Sequence, residues 1–130
     1  MKQLLAVAVL SMVAAPLLAH HGRGAAYDGT KQVTVEGTVS KVEWRNPHVF
    51  WMVDVKGGDG KVVTWAIEGN GTTNLSQQGY SRTTAKVGQQ VRVSAIPARN
   101  GTPSALMRKI SDLASGKELV RSGNDPFSDN

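Results

Sequence analysis

Apolar and polar residues alternate along most of the chain after residue 32, which is the pattern of half-buried β-strands. From 33 to 39 the odd positions are apolar or glycine, whereas Val42 and Trp44 move the apolar residues to even positions. A change of phase inside one strand indicates a bulge or a sharp bend, and Gly37 eases such bending. The pattern therefore predicts a long, coiled first strand, as small barrels require.

The rest of the pattern predicts an all-β domain with one short helix. Further strands are predicted at residues 48–56, at 63–67, at 89–98 and at 105–113, with a hairpin extension at 117–120. Between the third and fourth strands one helix fits, with Asn74 as its cap, Gln77 completing the capping box and Gly79 ending it. This order favours a five-stranded, OB-like Greek-key barrel, and the alternatives are an SH3-like barrel and a small sandwich. The residues expected in the core are Val49, Trp51, Val53, Val63, Trp65, Ile67, Val91 and Val93.

The first 19 residues have the composition of an export signal. Lys2 supplies a positive start, an apolar run follows, and Ala19 is a small residue at the expected cleavage site. Ser11 and Pro16 interrupt the run, which is short for a membrane span, and an uncleaved anchor is the alternative. We expect four segments: a signal peptide at 1–19, an N-terminal arm at 20–32, the OB-like barrel at 33–120 and a polar tail at 121–130. The mature protein is then expected to be periplasmic or secreted, without a membrane span.

Composition excludes several classes of function. The 130 residues include no cysteine, which rules out disulfides, thiolate metal sites and cysteine nucleophiles. Fifteen Lys and Arg stand against ten Asp and Glu, and removal of Lys2 with the signal lowers the formal charge from +5 to +4. This excess is scattered, so no nucleic-acid partner is expected. No two carboxylates have acid–base spacing and no G-x-S-x-G motif occurs, so we expect a binding protein rather than an enzyme.

Histidine supplies the candidate metal chemistry. Cleavage after Ala19 makes His20 the N-terminal residue, where the α-amine and the ring nitrogen chelate one ion together, and His21 adds a second imidazole. Copper(II) favours such tetragonal nitrogen ligation and outcompetes other divalent ions for it. The alternative is an exposed terminus with incidental metal affinity.

The third histidine, His48, directly follows Pro47, which fixes the local backbone. We therefore predict one copper(II) ion bound by His20 and His48, with His21 as an alternate ligand. Glu68 is expected to orient a ligating imidazole without touching the metal, as carboxylates often do. The alternative function is an envelope protein-interaction or stress-response module, in which an unidentified envelope protein is the partner and the histidines have no role.

Several motifs resemble those of a family of small exported bacterial proteins of unknown function. The residues that carry the resemblance are His20-His21, Gly37-Thr38-Val39, Val42-Glu43-Trp44, Asn46-Pro47-His48, Trp65 with Glu68, Gly79-Tyr80, Gly88, and Pro97-Ala98-Arg99 with Gly101. Tyr80 departs from the tryptophan expected after that glycine. The resemblance covers nearly the whole mature chain and implies a periplasmic barrel. It adds weight to His20, His21, His48 and Glu68 as site residues, and it implies no activity.

Overall fold

The computed structural model describes residues 22–123. These residues contain two short helices and six strands. The elements are α1 (Gly22–Ala26), β1 (Val33–Glu43), β2 (Phe50–Lys56), β3 (Val62–Glu68), α2 (Thr72–Gln77), β4 (Gln90–Pro97), β5 (Ser104–Asp112) and β6 (Glu118–Arg121). The predicted signal peptide, His20, His21 and the end of the polar tail lie outside the described residues. Within residues 22–123, neither helix is long and apolar enough to cross a membrane.

The strands form one sheet that closes on itself. Its order is β3-β2-β1-β4-β5-β6, and β3 also pairs in parallel with β5, through residues 66–68 and 104–106. This second pairing closes a barrel of five strands, and β6 continues the sheet beyond β5. The predicted all-β, OB-like barrel with a short helix between strands three and four is therefore confirmed. The predicted hairpin extension corresponds to β6.

The first strand bends as its change of phase predicts. The register of β1 on β2 shifts between Val39 and Lys41, which makes Ser40 an extra residue in a bulge. The first half of β1 pairs with β4 and the second half pairs with β2. A Cβ atom at Gly37 would lie 2.2 Å from the backbone oxygen of Asp54, so glycine is needed for this close approach of β2.

The barrel interior holds most of the residues expected there. The fully buried members of the predicted core are Val49, Trp51, Val53, Ile67, Val91 and Val93. Two predictions were wrong, because Val63 is 46% exposed and Trp65 is only half-buried. β5 pairs with β3 only at residues 66–68, so the first half of β3 pairs with β2 alone and is an open edge of the sheet on its other side.

Helix α2 lies between β3 and β4 in the chain, and its Leu75 is completely buried in the barrel core. The helix begins at Thr72, so the prediction of Asn74 as its cap was wrong. The side chain of Asn46, from the loop between β1 and β2, provides the cap instead, because its Oδ1 accepts a hydrogen bond from the Thr72 N–H at 3.0 Å. Gly79 follows the end of the helix as predicted, with a positive φ of 87°.

Candidate functional site

The N-terminal arm is docked on the barrel through its backbone. The Asp28 N–H donates to the Pro97 carbonyl at 2.9 Å, and the Arg99 N–H donates to the Ala26 carbonyl at 2.9 Å. Between these two hydrogen bonds, Tyr27 is 5% exposed and packs against apolar residues of β4 and β5. The arm therefore has a fixed position on the barrel, and α1 has one with it.

The first helical turn directs two side chains of the arm toward Glu68. Arg23 and Tyr27 are four residues apart, a spacing that puts them on one helix face, and the Tyr27 N–H donates to the Arg23 carbonyl at 3.2 Å. Arg23 Nε donates to Glu68 Oε1 at 3.0 Å, and the Tyr27 hydroxyl donates to Glu68 Oε2. The carboxylate at the end of β3 is thus bound to the arm through both of its oxygens.

His48 reaches the same carboxylate from the loop between β1 and β2. Its Nδ1 lies 2.9 Å from Glu68 Oε1, and its side chain is 33% exposed. A neutral imidazole that is protonated on Nδ1 keeps its lone pair on Nε2. Among residues 22–123, Nε2 has no hydrogen-bond partner. We name Glu68, Arg23, Tyr27 and His48 the Glu68 cluster.

Hydrogen bonds from the loop after β3 hold both His48 and Arg23. The Val49 N–H donates to the Asn70 carbonyl at 3.0 Å, and the Gly69 N–H donates to the Val49 carbonyl at 2.8 Å. Arg23 donates from Nη2 to the Gly69 carbonyl at 2.6 Å and from Nη1 to Asn70 Oδ1 at 3.1 Å. These bonds fix the backbone on both sides of the cluster, so its side chains are preorganised.

Polar partners compensate for the burial of the Glu68 carboxylate. Glu68 is 7% exposed, and its burial is tolerated because Arg23, Tyr27 and His48 all face its carboxylate. Burial, followed by the hydrogen bond to Glu68 and the negative charge of Glu68, raises the pKa of Tyr27 to about 12, although a hydrogen bond with Ser104 and the charge of Arg23 oppose the rise. Tyr27 is therefore a protonated donor at neutral pH.

A model of a family of unknown function, DUF6152, matches residues 7–107 of the chain. The chain belongs to this family. The matched segment contains the whole Glu68 cluster and the His20-His21 pair. No curated protein and no solved structure matches the chain significantly. The resemblance to a family of unknown function is therefore confirmed, and membership of DUF6152 brings no activity with it.

In this DUF6152 protein, the structure brings together two of the predicted site residues, His48 and Glu68. The other two, His20 and His21, lie outside the described residues. His48 is in the loop rather than at the start of β2, which begins at Phe50 and not at residue 48 as predicted. Within residues 22–123, no three His, Asp or Glu side chains form a group able to hold a metal ion. The described part of the site therefore offers one imidazole and one carboxylate.

Sequence analysis missed Arg23 and Tyr27. Both lie in the polar, glycine-rich arm, and they are 45 and 41 residues away from Glu68 in the chain. The sequence signal that exists is their i, i+4 spacing, which indicates a shared helix face. That spacing does not identify the carboxylate to which the two side chains bind.

Proposed function

We propose that this protein is an exported copper(II)-binding module, in which His20 and His48 coordinate the ion and His21 is an alternate ligand. The observation that carries the proposal is the 2.9 Å contact between His48 Nδ1 and Glu68 Oε1. A metal-bound histidine almost always donates its other ring N–H to a carboxylate, a carbonyl or a water, which orients the ring. The Nδ1 of His48 faces the Glu68 carboxylate, and a ring protonated there keeps on Nε2 the lone pair that a metal requires.

The docked arm supports a role for the terminal histidines. Arg23 and His48 both contact Oε1 of Glu68. His20 precedes Arg23 by three residues, a length of chain that spans at most about 11 Å. This reach is compatible with a site to which His20 contributes its α-amine and ring and His48 contributes Nε2. The same reach makes His21 a suitable alternate ligand.

The available donors favour copper(II) over other ions. Two imidazoles and an amine are nitrogen donors, and the chain has no cysteine that would favour softer metals through a thiolate. The Glu68 carboxylate already accepts from Arg23 and Tyr27 and faces the His48 ring, so it is suited to supporting an imidazole rather than to binding a hard cation. Because residues 22–123 hold no complete ligand set, tight binding depends on the processed terminus.

Calorimetry of the chain that begins at His20 tests this proposal. We expect one copper(II) ion per chain, bound more tightly than zinc(II) and more weakly as the pH falls, because protons compete for the same nitrogens. Acetylation of the His20 α-amine removes one of the proposed ligands, and it should weaken copper binding at least about tenfold, as losses around metal ligands do. Gly22→Ala is the control in the same arm, since nothing lies within 4 Å of its Cβ. Equal affinity with and without the acetyl group would contradict amine chelation.

Export is a separate part of the proposal, and the intact mass of protein from a periplasmic extract tests it. The charged start, the apolar run and Ala19 support removal of residues 1–19. We expect the mass of a chain that begins at His20. A mature chain with any other first residue would lack the combined amine and imidazole, and the copper site as proposed would not form.

A further inference from the structure

A polar cavity lies where β4, β5 and β6 run side by side, and it shares no residue with the Glu68 cluster. Its volume is about 420 Å³. The side chains that line it include Gln32, Ser94, Arg108, Lys109 and Arg121. No carboxylate is among the described residues of the lining, so the cavity presents positive charge and hydrogen-bond donors.

The strand register places two of these cations directly opposite each other. Lys109 of β5 pairs with Arg121 of β6, and on its other side Lys109 pairs with Ser94 of β4. Residues directly opposite on antiparallel strands have Cβ atoms roughly 4.5–5.5 Å apart, and like charges there destabilise the sheet. Glu118 compensates the charge of Arg121 through its Nε and Nη2 groups, and the charge of Glu118 also acts on Lys109. The Lys109 ammonium makes no ion pair of its own within residues 22–123, and an anion between the two cations would supply one.

A bulge brings a third cation to the same cavity. Ser94 pairs with Lys109, but the next pair joins Ala95 to Met107, so Arg108 is an extra residue in β5. In a regular strand successive side chains point to opposite faces, and Arg108 and Lys109 would then not line one cavity. A bulge re-aims a side chain, and bulges are over-represented next to active sites. Here it brings the Arg108 side chain, which donates to Gln32 Oε1 at 3.4 Å, to the same face as Lys109.

Several polar groups around the cavity keep a hydrogen-bond donor that has no partner among residues 22–123. Gln32 Nε2 donates to Ser94 Oγ at 3.0 Å, which leaves the serine hydroxyl proton to donate elsewhere. Arg121 donates to Glu118 from Nε at 3.0 Å and from Nη2 at 2.5 Å. Among residues 22–123, Arg121 Nη1 makes no hydrogen bond and Lys109 makes no ion pair. An ammonium, a guanidinium N–H and a hydroxyl are therefore available to one ligand.

From this arrangement we infer that the cavity binds a small oxyanion of the phosphate type. Phosphate oxygens accept charge-assisted hydrogen bonds from guanidinium and ammonium groups, and such bonds are about twice as strong as those between neutral groups. A phosphate between Lys109 and Arg121 accepts from the Lys109 ammonium and from Arg121 Nη1, while Glu118 keeps Nε and Nη2 of Arg121. The inference does not depend on the proposed copper site.

Binding of inorganic phosphate to the protein and to Lys109→Gln tests this inference. We expect phosphate to bind saturably at one site and to raise the melting temperature of the unmodified protein. Lys109→Gln should weaken phosphate binding on the order of tenfold or more, the loss typical of one hydrogen bond to a charged group. Without phosphate, the variant should melt close to the unmodified protein, because it removes both the repulsion from Arg121 and the attraction to Glu118.

Lys61→Gln is the matched control, because it removes the same charge from an exposed lysine between β2 and β3. It should leave the phosphate affinity unchanged. An equal loss of affinity in the two variants would show non-specific attraction to a basic protein and would overturn the inference. Absence of saturable phosphate binding to the unmodified protein would also overturn it.

A further variant tests whether the carboxylates of the tail or a free anion occupies the cavity. The tail carries Asp125 and Asp129, whose carboxylates share part of the chemistry of phosphate. If Asp125→Asn together with Asp129→Asn raises the phosphate affinity, the tail competes for the cavity and the inferred chemistry of the site stands. If the affinity is unchanged, the free anion is the ligand. A lower affinity would contradict a cavity that recognises negative charge.

Discussion

Glu68 is the residue that joins the arm, the β1–β2 loop and the barrel. Its carboxylate, at the end of β3, accepts hydrogen bonds from the guanidinium of Arg23 and the phenol of Tyr27, and it lies 2.9 Å from the imidazole of His48. Burial of a carboxylate is costly unless such partners compensate for it, and these three contacts offset that cost. The orientation of His48 therefore depends on residues that come from the arm.

The raised pKa of Tyr27 makes part of the stability depend on pH. The folded value of about 12 exceeds the ordinary value of 10.0, so folding favours the protonated phenol. This contribution should be fully present below pH 10 and should be lost as the pH rises toward 12. Urea unfolding across the alkaline range measures it. Tyr27→Phe should show a smaller alkaline loss than the control Tyr80→Phe, and losses of equal size would contradict the account.

Gly37 tests the close approach of β2 to β1. An added Cβ would lie 2.2 Å from a backbone oxygen of Asp54, which cannot move away without a shift of β2. Gly37→Ala should therefore lower the free energy of unfolding by about 1–3 kcal/mol, the cost typical of overpacking. Gly58→Ala is the control, since nothing lies within 4 Å of its Cβ. Equal urea midpoints for the two variants would mean that the strands separate more easily than the structure indicates.

At the scale of elements, the strands could be predicted because each has a recognisable local sequence pattern. Alternation and flanking turn residues are local features, and β4 and β5 begin and end within one residue of the predicted bounds. The bend in β1 was visible for the same reason, since a bulge changes the phase of the alternation within a few residues. Fold class follows from these local patterns together with the order of the elements.

Contacts between distant segments could not be predicted from the same signals. The cap of α2 comes from Asn46, which is 26 residues before Thr72, whereas the local pattern offers only Asn74. The exposure of Val63 depends on where β5 meets β3, and no local alternation specifies that point. The arm residues that bind Glu68 are 41 and 45 residues away from it. The composition of the site therefore emerges only from the tertiary fold.

The docking of the arm depends on Arg23, whose guanidinium makes three hydrogen bonds with residues 68–70. Arg23→Gln should loosen α1 and speed the hydrogen exchange of the Arg99 N–H, which donates to the arm, by about tenfold or more. The buried Val93 amide in β4 should exchange as before. Arg45→Gln, at an exposed arginine that pairs with Glu43, is the control. Unchanged exchange at Arg99 would mean that the backbone bonds hold the arm without this side chain.

At the scale of the whole molecule, one barrel supports two separate polar sites. The Glu68 cluster lies where the arm, the β1–β2 loop and the end of β3 meet, and the cationic cavity lies on β4, β5 and β6. OB-like barrels serve many unrelated functions, and DUF6152 is a family of unknown function, so function has to be argued from the sites. We propose that the first site binds a cation through nitrogen donors and that the second binds an anion.

The most direct test of the central claim is the copper(II) affinity of His48→Ala compared with that of the unmodified chain, both beginning at His20. The account predicts that the variant binds copper at least about tenfold more weakly, because it lacks an imidazole that Glu68 already orients. Arg45→Gln, an exposed position in the same loop, should bind copper as the unmodified chain does. Equal affinity of His48→Ala and the unmodified chain would mean that the N-terminal amine and imidazoles bind copper alone, which would contradict a copper site on the barrel.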